Sequence, residues 1–202
     1  MSATSPPPPA SPRIVLAGTV ARPLVVGLTV LGMAFGAQVR VPMEPTPMTL
    51  QTLALVIGAA LLGPALGPLA VLVYLALAVA GLPVLAGWTA APGLAIFELG
   101  TLGYLVGFFV GAWIVGRGAL ARDRSAGLDH AGGVLPGMAR PMIGAHLLIL
   151  LLGMAWLARD LGWSDAFNRG ARPLVIGAVV KSLLGAWVVA LIARCARSDA
   201  AP

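Results

Sequence analysis

Residues able to do chemistry are few in this chain, because only 10% of its 202 residues are charged. Lys181 is the one lysine, against twelve arginines, and it lies inside an apolar run that begins at Pro173. Eight residues at helical rise put its ammonium about 12 Å into that run, too deep to reach water easily by snorkelling. A charge at such depth must be paired or face a polar cavity. Lys181 therefore either meets an anionic ligand group or has a structural partner in Glu98 or in the carbonyls of a broken helix. Glu98 is the acidic residue set well inside an apolar stretch. It reads as an interfacial carboxylate, as a counter-charge to Lys181, or as an acceptor for a ligand N–H. His146 is a lone intramembrane histidine with no second His or acidic partner at ligand spacing, so a bond to a neighbouring helix fits it better than a metal. Ser182 with His146 could form a hydrolytic dyad, but no Gly-x-Ser-x-Gly surrounds Ser182, and an enzyme is the weaker reading. Cys195 is the single cysteine, which excludes an intramolecular disulfide and a cysteine metal cluster. No G-x-x-x-x-G-K-[ST] loop is present, so any ATP-driven step needs separate ATPase partners.

A second concentration of polar side chains occupies residues 41–53. Pro42, Pro45 and Pro47 fix φ, remove donors and hold the residue before each away from helix, which predicts a stiff extended segment. It delivers Thr49, Gln51 and Thr52 to the start of an apolar helix. Their hydroxyls and amide face either a neighbouring helix, as a rigid turn with a Thr cap, or a polar cavity.

The elements that position these residues follow from composition. The chain is 59% hydrophobic, with mean hydropathy +0.95, values of a polytopic membrane protein. Apolar runs at 14–39, 50–62, 65–80, 96–116, 138–157 and 173–192 predict an all-α integral membrane protein of six transmembrane helices. Gly63-Pro64 marks a tight reversal between the second and third. Residues 1–12, with four consecutive prolines, read as a disordered tail, 13–197 as the transmembrane domain and 198–202 as a C-terminal tail. A net charge of +6 suggests nucleic acid only superficially, because the arginines sit at the ends of apolar runs. Eight of them fall on the side of the termini and four on the other, which predicts cytoplasmic termini in the cytoplasmic membrane. The Pro-rich loop, the 81–93 loop carrying Trp88, and the loop before the sixth span then share the outer face. Glu98, Thr101 and Tyr104 are expected in the first turns of the fourth span. In the first span, Gly32-x-x-x-Gly36 and Ala17-x-x-x-Ala21 let another helix approach closely, from a partner or from within the bundle.

Gly36-Ala37-Gln38, Val41-Pro42 and Pro45-Thr46-Pro47-Met48-Thr49-Leu50-Gln51-Thr52 together resemble the signature of the BioY family, the biotin-binding subunits of energy-coupling-factor (ECF) transporters. The similarity extends over 14–194, through Gly63-Pro64, Tyr74, Gly81-Leu82-Pro83-Val84, residues 100–108 and residues 173–181. It implies an ECF S-component-like bundle taking up biotin, with no cofactor of its own. Such a subunit works with a transmembrane coupling protein and two ATPase subunits, or alone. The expected docking face includes Gly27, Gly32 and Gly36, although Leu31 interrupts the small-residue pattern. The substrate-binding residues implied are Thr49, Gln51, Trp88, Glu98, Thr101, Tyr104 and Lys181. The family's aspartate three residues before the lysine, which helps bind the head group, is Ala178 here. Its Gly-Pro-Thr in the fourth span reads Leu99-Gly100-Thr101. Either Glu98 replaces the missing carboxylate, or the pocket takes a biotin precursor or another small carboxylate vitamin.

Overall fold

The computed structural model describes residues 15, 21–125 and 133–198. The expected tail at 1–12, all of the expected 198–202 tail but Ser198, which ends a helix, most of 13–20 and the middle of the 117–136 connection lie outside the described residues. Among the described residues, five helices are long and apolar enough to cross a membrane: α1 (Ala21–Gln38), α2 (Gln51–Val79), α3 (Leu102–Ser125), α4 (Val134–Leu161) and α6 (Leu174–Ser198). A single turn, α5 (Trp163–Asp165), and a π-helical turn, Ala166–Ala171, join α4 to α6. Two short antiparallel strands, β1 (Arg40–Val41) and β2 (Met48–Thr49), close the Pro-rich loop, which includes a cis Glu44–Pro45 bond.

Residues 50–62 and 65–80, read as two spans, form the one element α2, and Gly63 breaks it. Gly63 adopts φ 77°, ψ −175°, a conformation open to glycine and foreign to a helix. Pro64 removes the donor of the next turn. The two limbs then pack on each other: a Cβ on Gly67 would stand 3.1 Å from the Ala59 Cα. In a straight helix eight residues separate Cα atoms by about 12 Å. Both ends of α2 accordingly reach the C-terminus of α1. Leu50 N–H donates to the Gly36 carbonyl (3.1 Å), and the Gln38 side chain donates to the Leu85 carbonyl (3.1 Å).

In lipid the hydrophobic effect does not drive helices together, so close backbone approach and buried hydrogen bonds do. Small residues supply that approach. Gly32 abuts Ala54 and Gly36 abuts the Gln51 backbone, setting α1 antiparallel to the first limb of α2. Gly103, Gly107 and Gly111 form a ridge four residues apart on α3 that seats Leu152, Trp156 and Ile149 of α4. Gly118 receives Pro141, which is why a proline inside α4 is accommodated. On the outer surfaces, large apolar side chains such as Leu28, Leu31 and Phe35 of α1, Leu151 of α4 and Ile176 of α6 stay more than half exposed, as a lipid-facing belt requires.

Helix boundaries differ from the sequence reading in one direction at the arginine-rich ends. α3 continues past Gly116 to Ser125, α4 runs past 157 to Leu161, and α6 runs to Ser198. Arginine is a good helix former whose stem lies along apolar surface, so charge did not end the helices. The start of α3 moves the other way. Residues Gly93–Glu98 wind a 3-10 turn, Leu99 is extended, and the helix begins only at Leu102. Glu98 and Thr101 thus precede α3 instead of lying on it.

Candidate substrate-binding cavity

A cavity of about 300 Å³ opens at the end of the bundle where α1 finishes and α2 begins. Four chain segments and three helices wall it. The Pro-rich loop contributes Thr46 and Thr49, the start of α2 contributes Gln51 and Thr52, and the 85–89 segment contributes Thr89. Thr101 enters from the approach to α3, Tyr104 from α3 itself, His146 from α4, and Ala178 and Lys181 from α6.

Gln38 fixes the second loop. Its Nε2 donates to Ala34 O and Leu85 O, and its Oε1 accepts the Trp88 N–H at 2.8 Å. The loop tip carries Trp88 at φ 59°, a left-handed conformation uncommon for an aromatic residue. That backbone turn sends the indole outward, 64% exposed and away from the cavity wall. On α6, the Lys181 Nζ donates to the Thr49 carbonyl at 2.9 Å, tying helix to loop. Tyr104 donates its hydroxyl to Gly170 O (2.9 Å), while its ring faces the cavity. Because that hydroxyl holds the π-helical turn, Tyr104→Phe is expected to lower stability by about 1 kcal/mol. It should leave ligand affinity within about twofold, since the ring stays; a thermal melt and a titration on the same preparation separate the two effects.

Five of the seven expected substrate-binding residues meet in this cavity: Thr49, Gln51, Thr101, Tyr104 and Lys181. Trp88 and Glu98 do not line it, and Glu98 is exposed on the 3-10 turn. Among the described residues no aspartate or glutamate lines the cavity, and Glu98 is not placed at its wall beside Ala178. Thr52, expected with Thr49 and Gln51 to face a neighbouring helix or a polar cavity, also lines the cavity, whereas the sequence reading passed over Arg40 at the rim, Thr46 and the cavity side of His146. The Thr46 and Thr52 hydroxyls, Gln51 Nε2 and His146 Nε2 are all buried without a hydrogen-bond partner. Buried polar groups are ordinarily satisfied, so these four atoms are positions at which a polar ligand can hydrogen-bond. Their sequence signal was position: Thr46 lies between Pro45 and Pro47, and Thr52 lies in the first turn of the helix that follows the stiffened loop.

Of the expected docking glycines, Gly32 and Gly36 are turned inward against α2. Gly27 has open space around it and lies on the outward face of α1. Ser182 and His146 do meet, at 2.9 Å, yet not as a nucleophile and base. Ser182 Oγ is fully buried and donates its proton to the Ala178 carbonyl at 2.8 Å. Among the described residues no group of His, Cys, Asp and Glu is placed to hold a metal ion.

An α-helical membrane bundle with an open-mouthed cavity, apolar over much of its wall and with Lys181 and several neutral polar side chains among its lining, is a small-solute-binding membrane protein. The chain belongs to the BioY family, whose model matches residues 12–198. It is 34% identical to the "Probable biotin transporter BioY" of Pyrococcus horikoshii over 158 residues, 78% of this chain and 87% of that one. It is also 34% identical to the "Biotin transporter BioY" of Rhizobium etli over 146 residues, covering 70% and 75% of the two chains. In three dimensions it superposes on the crystal structure of the S-component for biotin from an ECF-type ABC transporter. The TM-score is 0.70 at 19% identity, over 89% of this chain and 95% of the other.

Proposed function

We propose that this protein takes up biotin across the cytoplasmic membrane as the substrate-binding S-component of an ECF-type transporter. The observation that carries this is the cavity's polarity. A lone ammonium with no acid beside it suits a carboxylate, and four partnerless neutral atoms suit an uncharged ring with both donors and acceptors. The names of the relatives in Pyrococcus horikoshii and Rhizobium etli agree with that ligand. In this reading the chain passes the membrane six times, with the two limbs of α2 on either side of Gly63 counted separately, both termini cytoplasmic and the cavity outward. A transmembrane coupling protein and paired ATPases would power uptake, docking on the exposed side of α1 around Gly27 and Leu28; a solitary mode is the alternative. Because Ala178 leaves the cavity without a carboxylate, the second reading is a biotin precursor or another small carboxylate vitamin.

Titration of biotin into the full chain in nanodiscs tests the proposal, with uptake of labelled biotin by auxotrophic cells as the transport readout. A dissociation constant of about nanomolar order, near −12 kcal/mol, is expected. A well-folded chain that ignores biotin and binds a precursor such as desthiobiotin would establish the second reading instead.

A further inference from the structure

His146 holds its ring from behind. Nδ1 lies 3.0 Å from the Met142 carbonyl and 2.9 Å from Ser182 Oγ. A carbonyl oxygen only accepts, so Nδ1 carries the hydrogen. Ser182 gives its own hydrogen to Ala178 O, which leaves its lone pairs to accept from the same Nδ1. In the neutral ring this network makes Nε2 a bare acceptor, in a residue 3% exposed, without a partner and on the cavity wall. Other cavity acceptors are hydroxyls, amide oxygens and carbonyls that can rotate or are already engaged. Nε2 is fixed in direction by two bonds on the opposite side of its ring, as a preorganised binding group must be. Close beside it in space, Ala178 contributes only a methyl group.

We infer that His146 Nε2 is a specificity-determining acceptor for an N–H of the ligand's head group, with Ser182 and Met142 as its positioning partners. The inference rests on the biotin reading above, in which the head group is a cyclic urea with two N–H donors. A cavity with this acceptor selects a neutral N–H donor ring and discriminates against rings that present an oxygen or an alkylated nitrogen there.

The test is a two-sided cycle on the full chain in nanodiscs, by calorimetric titration. The probes are biotin and its two isomers singly methylated on a urea nitrogen, and the variants are His146→Asn, His146→Gln and His146→Phe. Asparagine keeps an amide near Nδ1, so the bonds to Met142 and Ser182 survive while nothing reaches the Nε2 position. Glutamine puts an amide near Nε2. For biotin, Asn and Phe are expected to weaken binding at least tenfold and Gln by no more than about threefold. One methylated isomer should bind the parent at least tenfold more weakly than biotin, and should bind parent and Asn variant alike. Biotin binding unchanged in Asn and Phe overturns the role of Nε2 and leaves the biotin reading standing. An equal loss for biotin and both isomers in Asn and Phe also overturns it, because a packing defect does not distinguish ligands. Should Asn and Phe fail to fold, the parent's response decides: if neither isomer binds it more weakly than biotin, the inference falls. A folded parent that does not bind biotin at all overturns the reading and the inference together.

Discussion

Lys181→Ala is expected to weaken biotin binding by about 2–5 kcal/mol, from roughly thirtyfold to several thousandfold, the cost of removing one member of a buried charge pair. The ammonium projects from α6 into a cavity lined by no acid, and its bond to Thr49 O is to a carbonyl dipole. On the proposed reading a ligand carboxylate supplies its counter-charge. Arg40 is the other cation on the wall, but it is exposed at the rim with its guanidinium against Gly87, and an exposed cation contributes little. Biotin amide, which lacks the charge, isolates the interaction. It should bind the parent weakly and the variant equally weakly, whereas biotin should discriminate between them. Lys181→Met, retaining the stem, should behave like the alanine variant. If both variants bind biotin as the parent does, the ammonium serves only to tether the loop.

The second large effect lies at the opposite end of the bundle. A Cβ at position 116 would stand 2.6 Å from both the Gly63 carbonyl oxygen and the Pro64 nitrogen. Those are backbone atoms of the reversal itself, and they have nowhere to move without unseating one limb of α2. Gly116→Val is expected to cost about 3 kcal/mol or more, the upper end for overpacking. That corresponds to a fall of about 6–12 °C in the melting temperature for a chain of this size. Position 116 does not line the cavity, so the fraction that folds should bind biotin with parental affinity. A thermal scan by size-exclusion chromatography reads the first quantity and a titration below the melting point the second. A variant as stable as the parent would mean that α3 is not seated on Gly63.

The membrane-spanning character and the reversal at Gly63-Pro64 were legible because a lipid environment constrains the chain so narrowly. Every backbone donor must be satisfied within a helix, leaving apolar length and Gly-Pro pairs as near-complete signals. Lys181, Thr49 and Gln51 were legible through rarity, a polar side chain in an otherwise apolar or proline-stiffened setting. Trp88 and Glu98 show where that reasoning stops. Their chemistry suits a ligand, but a left-handed backbone at 88 and a 3-10 turn at 93–98 direct both side chains elsewhere. Neither conformation has a local pattern as strong as a helix. For His146 the expected bond to a neighbouring helix is there, from Nδ1 to Ser182 of α6, and only its cavity side was missed, for the converse reason. That its two nitrogens face a neighbouring helix and the cavity respectively depends on the register of α4 against α6, set by the packing of Gly185 on Met142 and Gly170 on Leu157. Contacts between residues so distant in the chain leave no trace in either helix alone.

The tie between Lys181 and the Thr49 carbonyl also bears on the entropy of binding. An ammonium carries three hydrogens; one is engaged with the loop, and two remain for a carboxylate. The bound anion would therefore be gripped without release of the loop, and α6, ligand and β2 would become one cross-braced unit. The carboxylate then leaves by breaking its own bonds alone, while arrival meets a lysine already held in place. Such a lysine has less side-chain freedom to lose when the ligand binds, which lowers the ordering cost of the complex. On the proposed reading, a site that is set before its solute arrives is the useful property.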